Sequence, residues 1–218
     1  MSRIKIVCGH YGCGKTNFSL NLAFEQRAKG KNVTIIDLDI VNPYFRSSDY
    51  TESLKENGIN IIASKSAGTN VDSPALPPDI FAAFDGNDDI IIDVGGDDAG
   101  AYALGRFAPR ILKEGYEMYF VINKYRKLIS TPELAKELLE EIETACRLKA
   151  CAVVNNSHLA EFTTEETILD GYAYAQKTAE LLGLPLIMTT AKKEFIPSLQ
   201  GKIDNLYPID LIVKLPWN

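Results

Sequence analysis

The run Gly9-His10-Tyr11-Gly12-Cys13-Gly14-Lys15-Thr16 constrains this chain more than any other. It fits G-x-x-x-x-G-K-[ST], the phosphate-binding P-loop. The apolar stretch Ile4-Lys5-Ile6-Val7-Cys8 precedes it and reads as a buried strand, and residues 17–29 follow as a helix. Strand, glycine turn and helix is the context the motif needs. Glycines let the backbone wrap closely around phosphate oxygens. In this reading Gly9, Gly12, Cys13, Gly14, Lys15, Thr16 and Asn17 make the cradle. The amides of residues 12–17 face the β-phosphate, with the helix dipole behind them. Lys15 reaches the β- and γ-phosphates as a catalytic candidate, and the Thr16 hydroxyl binds Mg²⁺.

The 218 residues suit one P-loop nucleotide-binding α/β domain, 1–218. A net charge of −6 argues against general nucleic-acid binding. No apolar stretch approaches a membrane span, and the N-terminus predicts no secretory signal. The four cysteines, Cys8, Cys13, Cys146 and Cys151, form no C-x-x-C pair, and with two histidines they predict no zinc or iron–sulfur site. They suit a reducing cytoplasm. Cys13 reads as a small residue accepted by the loop; a thiolate favoured by the helix start is the alternative.

Strand-like runs at 4–8, 33–39, 59–64, 89–95, 118–123, 150–155 and 186–190 alternate with helix-like segments at 16–29, 47–57, 79–85, 99–114, 132–148 and 164–182. The runs are rich in Ile and Val on both faces, the signature of a parallel sheet covered by helices. Repeated βα units predict a doubly wound, mostly parallel sheet with ligands at the carboxyl ends of its strands. Thr131 before Pro132, and Thr163 or Thr164 before Glu165, read as helix caps; Gly58 and Gly183 read as helix ends. The loop 64–78, rich in Ser, Ala and Pro, is a candidate functional loop.

The second strand ends in Asp37-Leu38-Asp39, whose alternation puts both carboxylates on one side. Asp37 is assigned to the metal side and Asp39, the second catalytic candidate, to the attacking water. Asp93 ends Asp89-Ile90-Ile91-Ile92, as a Walker B acid would, and would hold Mg²⁺ through water. Gly95 and Gly96 allow a segment whose amide senses the γ-phosphate. Asp97 and Asp98 read as capping acids. Asn155, after Ala150 to Val154, carries the donor and acceptor that a purine edge needs; a turn role for Asn155 or Asn156 is the alternative. His158 reads as a loop histidine. Asn123-Lys124-Tyr125-Arg126 has Arg where a guanine reader has Asp, which favours ATP over GTP.

Together, GHYGCGKT at 9–16, DLDIVNP at 37–43, IIIDVGG at 90–96 and VVNN at 153–156 resemble the MinD/ParA-type P-loop ATPases. That superfamily includes arsenite-pump ATPases, nitrogenase iron protein and metal-cofactor maturation ATPases. The resemblance implies Asp37 and Asp39 as its Asp-x-Asp and Asn155 as its purine contact. It also implies ATP and Mg²⁺ as cofactors, and a homodimer or protein partner. The family's first P-loop lysine, which crosses to a partner subunit, is His10 here, and the following glycine is Tyr11. Slow hydrolysis awaiting a partner follows, with Arg46 as a further charge. The end, 207–218, has two prolines and one lysine, unlike the family's basic membrane helix, and reads as core-packed.

The leading reading is an Mg²⁺-dependent ATPase acting as a nucleotide-gated switch. A small-molecule kinase or ATP-dependent ligase on the same fold is the alternative. A GTPase regulator and a binding protein without turnover complete the set.

Overall fold

The alternating apolar runs fold into parallel strands joined by helices. The computed structural model describes residues 2–39, 50–63 and 79–213. The strands are β1 (Ile4–Cys8), β2 (Val33–Leu38), β3 (Ile59–Ala63), β4 (Asp89–Val94), β5 (Glu117–Ile122), β6 (Ala152–Asn155), β7 (Leu186–Lys192) and β8 (Leu206–Ile209). They form one eight-stranded sheet in the order β3-β2-β4-β1-β5-β6-β7-β8. Every pairing is parallel. β1, β2 and β4 are buried along their whole length, as strands apolar at most positions on both faces require.

The helices are α1 (Lys15–Ala28), α2 (Thr51–Glu56), α3 (Asp79–Asp85), α4 (Asp98–Gly105), α5 (Ala108–Glu114), α6 (Pro132–Cys146), α7 (Glu165–Leu182) and α8 (Ile196–Leu199). α1 packs on β1, β2 and β4; α4, α6 and α7 pack in succession, α4 also on β2 and β4 and α7 on β6 and β7. The fold is thus the doubly wound α/β arrangement, with helices on both faces. One core cluster runs from Ile4 to Ala179, and a small satellite of Ile168, Ala191, Leu199 and Ile203 lies beside it.

Three elements differ from the sequence-based expectation, the short α8 among them, which no helix-like run marked. The stretch 99–114 is two helices, because Pro109 lies in the first turn of α5. A proline has no N–H to continue the helix, and its ring would strike the carbonyl four residues back, at Gly105. β8 is an eighth strand, its short run broken by Pro208 at a sheet edge, where proline is tolerated. The caps are as read: the Thr131 hydroxyl accepts from the Leu134 amide (3.3 Å), Thr164 forms a capping box with Thr167, and Gly183 closes α7 at φ 65°.

Candidate nucleotide site

β1 lies next to the centre of the sheet, and its carboxyl end opens into the P-loop. Gly9 has φ 144°, and a Cβ there would come within 2.3 Å of the Val121 carbonyl oxygen of β5, so only glycine lets the loop leave the sheet here. Gly14 is left-handed (φ 81°), and a Cβ would come within 2.2 Å of the Asn156 Nδ2. A cavity of about 660 Å³ opens over the carboxyl ends of the strands. Gly12, Gly14, Lys15, Thr16, Asn17 and Asp39 line it.

Lys15 is buried, and its Nζ donates to the His10 carbonyl (3.1 Å). Asp37 and Asp93 are buried and lie side by side in register across β2 and β4. The Asp37 Oδ1 accepts from the Asp39 amide (3.0 Å), and the Asp93 Oδ1 accepts from the Ser19 hydroxyl of α1 (3.3 Å). Neither acid lines the cavity; Thr16 and Asp39 do. Among the described residues no group of three or more His, Cys, Asp or Glu side chains could hold a metal ion. The donor set fits Mg²⁺ in the way that ion is held in nucleotide sites, by one or two protein oxygens with phosphate and water completing the shell.

Gly96 presses on the P-loop: a Cβ there would lie 2.5 Å from the Tyr11 amide nitrogen and 2.9 Å from the Lys15 Nζ. The segment after β4 therefore lies against the lysine of the loop. Asp97 caps α4, accepting from the Gly100 amide (3.0 Å), so its carboxylate is structural, as read from the sequence.

Asn155 is the residue expected to contact the purine. It is fully buried and off the cavity wall; its Oδ1 accepts from the Ser157 amide (3.1 Å), and its Nδ2 has no hydrogen-bond partner. The strand ends at this residue, and the next side chain is the one turned to the opening. Asn156 lines the cavity, donates from Nδ2 to the Cys13 carbonyl (2.6 Å) and accepts from the Thr190 hydroxyl. Cys13 is likewise off the wall, with a fully buried side chain. Burial pushes its thiol up to about 11, against the thiolate alternative.

Arg126 is tied to the P-loop. Its Nε donates to the Gly12 carbonyl (2.7 Å), clamping the loop, and it lines the cavity. Lys124 pairs instead with Asp170. His158 is part of the wall and not a free loop residue. Burial first, then the charges of Arg126 and Lys192, push its imidazole down to about 4, so it is neutral at pH 7. His10 is occupied by its own loop, its Nδ1 lying 2.8 Å from the Tyr11 carbonyl. Asn156 carried a signal as the neighbour of Asn155, and Arg126 as the end of the run Asn123-Lys124-Tyr125-Arg126; Ser19 and Asn21 carried none. Arg46 and the loop 64–78 lie outside the described residues.

No protein-family model matches the sequence, and no curated protein matches it. Solved structures do. FtsY from Mycoplasma mycoides aligns with a TM-score of 0.56 at 17% identity, over 85% of this chain and 58% of that one. FtsY from Thermotoga maritima aligns at 0.54 and 19% identity, over 84% and 59%. The 54 kDa signal recognition particle protein from Aeropyrum pernix, in complex with GDP, aligns at 0.53 and 17%, over 84% and 40%. This chain spans less than two thirds of the length of each. At such identities the likeness is one of fold, a P-loop α/β fold, and the MinD/ParA resemblance rests on the sequence motifs.

Proposed function

We propose that this protein binds ATP with Mg²⁺ and hydrolyses it as a nucleotide-gated switch. The observation that carries the reading is the meeting of Lys15, Thr16 and Asp39 on the wall of one cavity, beside the loop amides and under Gly96. Lys15 exchanges its carbonyl partner for the β- and γ-phosphates, and the amides of residues 12–17 hold the β-phosphate. Thr16 holds Mg²⁺ directly, with Asp37 and Asp93 behind it through water; the ion supplies charge neutralisation at the phosphates. Asp39 orients the attacking water. A γ-phosphate at Lys15 competes for space with Gly96, so binding moves the segment after β4, which is the switching element.

His10 stands at the family lysine's position and its ring is bonded to its own loop, so hydrolysis is slow until a protein partner or second copy supplies the charge that the lysine would bring. No helix among the described residues is long and apolar enough to cross a membrane. We assign the protein to the cytoplasm, where its free cysteines stay reduced.

Adenine is favoured because the run Asn123-Lys124-Tyr125-Arg126 ends in Arg where a guanine-reading motif has the acceptor Asp. The second reading is GTP: Glu161 brings a carboxylate to the wall, and an FtsY and the signal recognition particle protein among the fold neighbours were solved with GDP. The test is Mg²⁺-dependent turnover of ATP and GTP by the purified chain, with Lys15→Ala and Asp39→Ala in parallel. ATP turnover lost in both variants is expected. No turnover of either nucleotide, alone or with candidate partners, refutes the ATPase reading.

A further inference from the structure

The last described residues form a wall of this cavity, and α1 holds them there. Residues 210–213 belong to no helix or strand. Their backbone bonds to two side chains of the P-loop helix instead. The Asn17 Nδ2 donates to the Asp210 carbonyl (3.0 Å), and its Oδ1 accepts from the amides of Ile212 (2.9 Å) and Val213 (3.2 Å). The Asn21 Nδ2 donates to the same carbonyl (2.9 Å), and its Oδ1 accepts from the Asp210 amide (2.9 Å). Both asparagines are buried, which strengthens these bonds relative to exposed ones. Asn17, read from sequence as part of the phosphate cradle, spends its side chain on this strap.

The Ile212 amide donates to the Asp210 carbonyl (3.1 Å), closing a tight turn centred on Leu211. Ile209, Leu211 and Val213 line the cavity, and Ile212 and Val213 also pack on the main core. Leu211 is 58% exposed, an open leucine on the wall that also holds Lys15 and Thr16. The acids Asp37 and Asp93 lie on β2 and β4, to one side of β1, whereas the strap follows β8 at the other edge. A nucleotide with its phosphates on the P-loop must therefore extend its nucleoside over β5 to β8, toward the strap. A base has flat apolar faces, and an apolar wall is what such a face needs.

We propose that Leu211 and Val213 seat the nucleotide's base, and that Asn17 and Asn21 are positioning residues that hold this seat against the phosphate cradle. The inference rests on the nucleotide-binding reading above, and its test separates the two. Wild type, Leu211→Ser, Leu211→Met, Asn21→Ala and Lys15→Ala are titrated calorimetrically with Mg²⁺-ATP and with Mg²⁺-tripolyphosphate, which has no base. Leu211→Ser should weaken ATP about tenfold, the loss of part of one leucine's apolar contact. It should leave tripolyphosphate unchanged, and Leu211→Met should restore ATP. Asn21→Ala should show the same split, with faster hydrogen exchange at the Asp210 amide, whose acceptor it removes. Lys15→Ala should lose both ligands. ATP binding unaltered by Leu211→Ser, or equal losses for both ligands, refutes the base seat while the phosphate site stands. A wild type that binds neither ligand overturns both.

Discussion

Two neighbouring asparagines should respond very unequally to the same truncation. Asn156→Ala removes a buried donor from the Cys13 carbonyl and the acceptor of the Thr190 hydroxyl. Each stranded buried group costs about 1–3 kcal/mol, so the variant should lose roughly 3 kcal/mol. For a domain of this size that lowers Tm by about 6–12 °C. Asn155→Ala gives up one bond, to the Ser157 amide, and also removes a buried Nδ2 that had no partner. Those changes oppose each other, and the net should stay within about 1 kcal/mol. Urea unfolding with fluorescence detection measures both. Nucleotide titration adds a second readout, since only Asn156 ties the P-loop and faces the cavity; its loss should weaken ATP binding, while Asn155→Ala should not. Equal destabilisation, or a silent Asn156→Ala, would refute the assignment of the loop tie to Asn156.

Two further outcomes follow from burial. Cys8, Cys13 and Cys146 are buried and Cys151 is exposed, so iodoacetamide at pH 7.5 should label Cys151 alone in the native protein and all of them in urea, as read by peptide mass mapping; native labelling of Cys13 would contradict its raised thiol. His158 is held neutral in the fold, down to about 4 from 6.5, so between those values the unfolded chain binds a proton that the native one refuses. Stability should therefore fall as pH drops through that window, and His158→Gln should flatten the fall; identical urea midpoint profiles for the two proteins would refute it.

Much of the sheet was legible because its strands are apolar on both faces, which no other element of that length requires. The P-loop was legible because its glycines serve local backbone needs that show in the letters. The break at Pro109 was written in the sequence and was overridden in the reading by the continuous apolar pattern around it. β8 was missed because a short edge strand containing Pro208 has no periodic signal. Cys13 shows the limit of local argument: a helix start lowers a thiol's pKa, but here desolvation dominates, and desolvation depends on what packs over the loop.

The sequence by itself determined the fold class, the phosphate loop and the acids at the ends of β2 and β4. These are local matters of backbone freedom, strand patterning and the residue that ends a strand. Only the tertiary structure decided that Asn156 and not Asn155 ties the loop, that Arg126 clamps Gly12, and that Asn17 and Asn21 spend their side chains on residues nearly two hundred positions away. A one-residue step at a strand end changes which side chain meets the cavity, and a hydrogen bond between distant segments has no spacing to read. Those choices belong to the packing of β6, β8 and α1 around one opening.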